Sequence, residues 1–141
     1  MSMDAMEPSE PTLRHHIRIE SDITVAVLDI GRLAASNGFD LRRKTMLMTV
    51  ASELGSNICK YAGSGWLNAT LLTRGAARGL EIVAEDQGPG IPDIPSALRD
   101  HFSSSGTLGL GLPGVRRMMD SFDIRSVPGQ GTTVRVVKWS R

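Results

Sequence analysis

Cysteine is almost missing: Cys59 stands alone among 141 residues, so the chain can form no internal disulfide and no cysteine zinc site, a usage suited to a reducing compartment. An excess of one charge is missing too. With 16 basic against 15 acidic residues the formal net charge is +1, and no Lys/Arg run occurs locally, which argues against a nucleic-acid footprint. No apolar run approaches membrane-spanning length. Residues 1–12 are acidic and rich in Pro, Ser and Met, without the basic start and apolar centre of a signal peptide. These absences lead to the expectation of a cytoplasmic protein whose partners are neither nucleic acid nor membrane. No internal repeat and no domain linker is visible. Residues 1–13 are therefore expected to be a mobile tail, and 14–141 one domain, long enough for a single core and short for two.

What is present reads as helices and strands in turn. Ile17 and Ile19 alternate with Arg18 and Glu20, as in a short strand with one buried face. Ser21 or Asp22 then caps a helix whose Ile23, Val27, Ile30 and Ala34 keep helical spacing, with Asn37-Gly38 as its left-handed stop. Asp40 caps a second helix, in which Leu47, Val50, Leu54, Ile58 and Tyr61 recur every few residues until Ala62-Gly63. Leu67, Ala69 and Leu71, a turn over 74–79, and then Leu80, Ile82 and Ala84 read as an antiparallel hairpin ending at Asp86. Over 89–111 periodicity gives way to Pro, Ser and Gly, the composition of a mobile loop with one helical turn near 97–101. Pro113 suits the first turn of a third helix running to about Ser121. Strands over 122–127 and 132–139 flank a Pro-Gly-Gln-Gly turn. This order predicts an α+β fold, a two-layer α/β sandwich whose mixed, mostly antiparallel sheet carries three helices on one face.

Glu53, Asn57 and Lys60 lie at i, i+4 and i+7 on the second helix, a polar stripe beside Leu54, Ile58 and Tyr61. An asparagine oxygen is a hard ligand suited to Mg²⁺, which keeps several waters and completes its shell with phosphate. Glu53, one turn away, is placed to deprotonate a hydroxyl or a water at a γ-phosphate, and Lys60 to meet phosphate as a point charge. Taken alone, the three would be an ordinary exposed helix face.

Asp86 ends an apolar strand and opens Asp-Gln-Gly-Pro-Gly. That sequence makes a good turn through local hydrogen bonds. The same carboxylate can accept an adenine amino proton, a bond worth about 1.5–3 kcal/mol net, while Gly88 and Gly90 let backbone approach a base. The segment 109–114 fits G-x-G-x-x-G, but it follows a loop rather than a strand, and too little chain remains for the second strand and acidic residue of the dinucleotide fingerprint. No G-x-x-x-x-G-K-[ST] occurs, so a P-loop is excluded. What remains is a glycine loop feeding the amino end of the third helix, a place suited to phosphate. His15, His16 and His101 lack ligand spacing and read as surface residues, and Met46, Met48, Met118 and Met119 as core or interface fillers. Gly55, inside a helix, costs about 1 kcal/mol relative to Ala, and is expected to admit a close neighbour or a nucleotide.

Glu53-x-x-x-Asn57 with Lys60, Asp86-x-Gly88-x-Gly90, Gly109-x-Gly111 and Gly131-Thr132 occur in the order of the boxes of the GHKL ATPases, and the chain resembles that Bergerat-fold superfamily. The wording of 84–91 and 105–120 is similar to the RsbT-type switch kinases of bacterial stress signalling. Gly55 and Ser56 depart from the more helix-favouring pair expected there. The resemblance implies ATP and Mg²⁺ as cofactors, with Asn57 on the metal and Lys60 near phosphate. It implies Asp86 on adenine, Gly88 and Gly90 shaping the base pocket, Gly106, Thr107, Leu108, Gly109, Leu110 and Gly111 around the phosphates, and Thr132 supporting the adenine end. Glu53 would be the general base, because the acceptor in this branch is a serine or threonine hydroxyl on a STAS-domain scaffold or antagonist protein. After release such kinases activate a PP2C-type phosphatase by direct binding, within a stressosome partner-switching pathway. A histidine kinase is disfavoured, since those usually carry an acceptor helix in the same chain. The alternative implied reading is a nucleotide-gated binding module, like an anti-sigma factor, without kinase activity.

Overall fold

The computed structural model describes residues 11–91, 98 and 111–141. Among them run β1 (Leu13–Ile17), α1 (Glu20–Ser36), α2 (Leu41–Asn57) continued by a π-helical turn (Ile58–Ala62), β2 (Gly65–Arg74), β3 (Ala77–Asp86), α3 (Gly111–Met118), β4 (Ser121–Val127) and β5 (Gly131–Trp139). The sheet order is β1-β2-β3-β5-β4, and every neighbouring pair is antiparallel. The α+β sandwich with a mostly antiparallel sheet expected from the sequence is thus found, and among the described residues every pairing is antiparallel. The chain passes from β3 through α3 to the far edge, so β4 runs parallel to β3 without touching it. The hairpin back then inserts β5 between them. One face of the sheet, with Leu67, Ile82 and Val136, is buried with Ile30 of α1, Leu54 of α2 and Val115 of α3 in one core, so apolar burial drives both layers together.

Local chemistry sets where the elements begin and end. Ile19 is not a strand residue: β1 stops at Ile17 and Ile19 is 62% exposed. The cause is Asp22, which lies in the first turn of α1 rather than at its cap position. Its carboxylate accepts the N–H groups of Arg18 at 2.9 Å and Ile19 at 3.1 Å, folding the chain into the helix two residues early. These bonds, Arg18 first, hold the Asp22 carboxyl below its ordinary value. Asp40 caps α2 as expected, accepting the Arg43 N–H at 2.8 Å. Gly55 admits α1, since a Cβ there would lie 3.0 Å from Ile23 Cγ2; its neighbour is a helix and not a nucleotide.

Tyr61 does not continue the apolar stripe. It is 51% exposed, because the π turn takes in an extra residue and rotates the residues after it by about 100° relative to an α-helix. The hairpin turn is also tighter than the 74–79 expected. Arg74 already pairs with Ala77, and the strands run on to Gly79, opposite Trp139. A Cβ at Gly79 would sit 2.7 Å from the Trp139 ring, over which Arg74 also lies at 3.9 Å, so Gly79, which read as part of a turn, makes room for an indole. α3 ends at Met118, short of Ser121, where Lys138 Nζ donates to the Met118 carbonyl at 2.9 Å and the Asp120 N–H reaches Val137 O at 2.9 Å. His15 pairs with Asp29 at 3.0 Å, and His16 stacks on Trp66. No helix of the described residues is long and apolar enough to cross a membrane.

Candidate functional site

The end of α2 and the end of β3 meet at one edge of the core. Gly65 lies between them: a Cβ there would stand 2.9 Å from Ile58 Cγ2 and 3.1 Å from Asp86 Cβ. At Gly88 a Cβ would lie 2.7 Å from the Cβ of Ala62, the last residue of the π turn. The π turn thus seats directly on the Asp86-Gly88 turn. Glu53 and Asn57, one helical turn apart, are carried to the same end of the molecule by that seat.

Each candidate residue has a defined setting. Asp86 Oδ1 accepts the Gly88 N–H at 2.9 Å, so the local turn expected of Asp-x-Gly is formed and the second carboxylate oxygen remains for another donor. Glu53 is half-buried, and its Oε2 is fully buried with no hydrogen-bond partner among the described residues. Asn57 is half-buried at the last position of α2. Lys60 is exposed, with Nζ 5.5 Å from the centre of the Tyr61 ring. Gly90 holds a positive φ of 80°, and a Cβ there would lie 2.6 Å from the Val127 carbonyl oxygen, so β4 sets its demand for glycine. Gly111 opens α3. Gly106, Thr107, Leu108, Gly109 and Leu110, and the helical turn expected near 97–101, lie outside the described residues, apart from Leu98.

Thr132 stands directly across from Asp86 on β5, and Ser126 of β4 stands across from Thr132. The hydroxyls of Ser126 and Thr132 are 2.9 Å apart. Ser126 Oγ also accepts the Ile91 N–H at 2.6 Å, and the Gly129 N–H donates to Pro89 O at 2.7 Å. The glycine turn after β3 is therefore laced to the β4–β5 hairpin at two points. Sequence reasoning missed Ser126, although the signal was there: it mirrors Thr132 about Gly129, so a hairpin with its turn at 128–130 pairs them. The π turn left no such signal. Cys59, beside Asn57, is half-buried against the core, and burial pushes its thiol above the ordinary value of 9.0, which makes it a packing residue and a poor nucleophile.

A carboxylate oxygen without a partner among the described residues, an amide one turn along the helix and a second carboxylate at a strand end suit a ligand that brings donors at one end and hard-metal phosphate chemistry at the other. Comparison with known proteins identifies the family. Residues 43–140 match the family of histidine kinase-, DNA gyrase B- and HSP90-like ATPases. The serine/threonine-protein kinase RsbT of Bacillus subtilis (strain 168) is 47% identical over 126 residues, spanning 89% of this chain and 94% of that protein. An anti-sigma F factor of Thermoanaerobacter sp. (strain X514) is 35% identical over 57 residues, 38% of this chain and 40% of that protein. Among solved structures, the mycobacterial sensor histidine kinase MprB has a TM-score of 0.52 at 19% identity, covering 89% of this chain and 95% of that one. The catalytic domain of the histidine kinase ThkA has a TM-score of 0.51 at 14% identity, covering 92% and 99%. At those identities the two structures speak for the fold alone.

Proposed function

Since the chain belongs to the histidine kinase-, DNA gyrase B- and HSP90-like ATPases, and within them to the RsbT-type serine/threonine-protein kinases, we propose that it passes the γ-phosphoryl group of ATP to a serine or threonine hydroxyl of STAS-domain partner proteins. Asp86 accepts the adenine amino proton, and Thr132 supports it from the adjacent strand. Gly88 and Gly90 shape the turn that the base rests on. Asn57 would hold Mg²⁺, which when bound neutralises phosphate charge and fills its shell with phosphate and water. Lys60 adds a point charge near the phosphates. Residues 106–111, which lead in sequence into α3, would supply contacts to the phosphates. Glu53 takes the proton that the acceptor hydroxyl loses as it attacks.

The observation that carries this reading is the buried Glu53 Oε2, without a hydrogen-bond partner among the described residues and one turn from Asn57. A buried acceptor without a donor costs about 1–3 kcal/mol, and an incoming hydroxyl supplies the missing donor. In this reading the protein works in the cytoplasm, in a stressosome partner-switching pathway, and on release from its substrate binds a PP2C-type phosphatase. The likeness to an anti-sigma F factor supports a second reading, in which nucleotide only sets the shape of a surface that grips a regulatory partner. Incubation with labelled ATP, Mg²⁺ and candidate STAS-domain proteins separates the two. Phosphoserine or phosphothreonine on the partner supports the kinase pathway. Tight binding with no transfer across all candidates moves the assignment to the binding module.

A further inference from the structure

We infer that Ser126 is a positioning residue that selects adenine over guanine: its hydroxyl fixes the direction of the Thr132 proton beside Asp86. This rests on the nucleotide reading above and adds a residue to the same site. Asp86, Thr132 and Ser126 form one row across β3, β5 and β4, paired in register. Ser126 Oγ has one proton and two lone pairs. The Ile91 N–H, at 2.6 Å, occupies a lone pair. Two acceptors then compete for the proton, Thr132 Oγ1 at 2.9 Å and the Gly131 carbonyl at 3.3 Å. Hydroxyl hydrogen bonds lie at about 2.5–3.0 Å, so the proton goes to Thr132. Were Thr132 the donor instead, Ser126 would be left with only the long contact.

The consequence is a polarity. With a lone pair of Thr132 occupied by Ser126, the Thr132 proton is available to a ligand, while the Asp86 carboxylate only accepts. The row therefore offers an acceptor next to a donor. Adenine presents the complement, an amino donor next to the N1 acceptor. Guanine presents O6 and N1–H in the reverse order, setting a carbonyl against a carboxylate and a donor against a donor. Sites that hydrogen-bond an edge in this way discriminate through the groups left unpaired by the wrong ligand. The Ile91 bond adds a second effect, since the chain leaving the base turn is held by the same hydroxyl.

The test is calorimetry of ADP and GDP on the full chain for wild type, Ser126→Ala and Ser126→Thr. Loss of one orienting hydrogen bond frees the Thr132 rotor, and the ADP:GDP affinity ratio in Ser126→Ala should fall about tenfold. Ser126→Thr keeps the hydroxyl and should restore it. A purely structural role would lower both affinities together and leave the ratio unchanged, which overturns the proposal. Should Ser126→Ala not fold, Ser126→Cys retains the volume with a weak donor, and an unchanged ratio there overturns it as well. In a Thr132→Val background, Ser126→Ala should have no further effect on the ratio; an undiminished effect would place the discrimination elsewhere. A wild-type chain that binds ADP while the variants keep its ratio refutes the Ser126 role alone, whereas one that binds no ADP refutes the nucleotide reading with it.

Discussion

Replacing Glu53 by Gln should remove activity while leaving stability in place. The substitution keeps the length and shape of the side chain and removes its ability to take a proton, so phosphoryl transfer to a partner hydroxyl should fall about 100- to 10,000-fold, the range of a lost general base. Stability should hold. The Oε2 atom is buried and has no hydrogen-bond partner among the described residues, and an amide of the same shape leaves a polar atom unsatisfied in the same place, so the penalty of about 1–3 kcal/mol is common to both side chains. Tm should therefore stay within about 4 °C of wild type, the shift of about 1 kcal/mol for a domain of this size. Labelled-ATP transfer measures the first effect, thermal unfolding without nucleotide the second, and ADP calorimetry controls for binding, which should be unchanged within about threefold because Glu53 is not placed on the nucleotide. Transfer at the wild-type rate would remove Glu53 from the chemistry. A melting temperature that drops together with activity would make it a structural residue of α2.

Asp86→Asn retains the turn, because its amide oxygen can still accept the Gly88 N–H now bound at 2.9 Å, but loses the charged acceptor; ADP affinity should fall about 10- to 100-fold, and unchanged affinity in calorimetry sinks the adenine assignment. Gly88→Ala places a methyl 2.7 Å from the Ala62 Cβ and 3.0 Å from its Cα. The backbone has to shift, which should cost about 1–3 kcal/mol in urea unfolding and weaken ADP binding through Asp86, so a variant normal in both would contradict the seating of the π turn on this loop. Asp22 and Asp40 are held below their ordinary 3.8 by backbone N–H groups, those of Arg18 and Ile19 for the first and Arg43 for the second. A depressed folded-state value means stability that is present above pH 3.8 and lost as pH falls through the folded values. The urea midpoint of wild type should therefore fall in that acid window, and the fall should be shallower in Asp22→Ala and Asp40→Ala; identical acid slopes would refute the linkage.

How much of this was legible in the sequence depended on the range of the interaction that decides it. Asp40 reads correctly as a cap because its partner, the Arg43 N–H, lies three residues away. The strand-helix boundary near Ile19 misleads although it too is local, since the alternation of Ile17 and Ile19 competes with the reach of Asp22 back to two amides, and hydrogen bonds to an ionised carboxylate outweigh the pattern of two isoleucines. Tyr61 departs from expectation for a different reason: a change from α to π hydrogen bonding alters the phase of every later residue and has no composition of its own. The order of the polar and glycine boxes carried the family, which residues 43–140 then matched.

Glycine is where sequence and structure complement each other best, because a glycine in a string announces that something comes close without saying what. Gly55, Gly65, Gly79 and Gly88 all face protein neighbours, respectively Ile23, Ile58, Trp139 and Ala62. For Gly88 this changes the account of the site rather than diminishing it. Its missing side chain lets the Asp86 turn rest on the π turn, and the π turn is the continuation of the helix that carries Glu53 and Asn57. Ser126 ties the other end of the same turn to β4 through the Ile91 amide. A displacement of the Asp86 carboxylate must therefore strain either the end of α2 or the β4–β5 hairpin, which packed interiors resist. In the proposed reaction, the two ends of the nucleotide are thus held by one rigid unit, so that a nucleotide whose base fits Asp86 and Thr132 delivers its γ-phosphate to Glu53 without a separate adjustment of the helix.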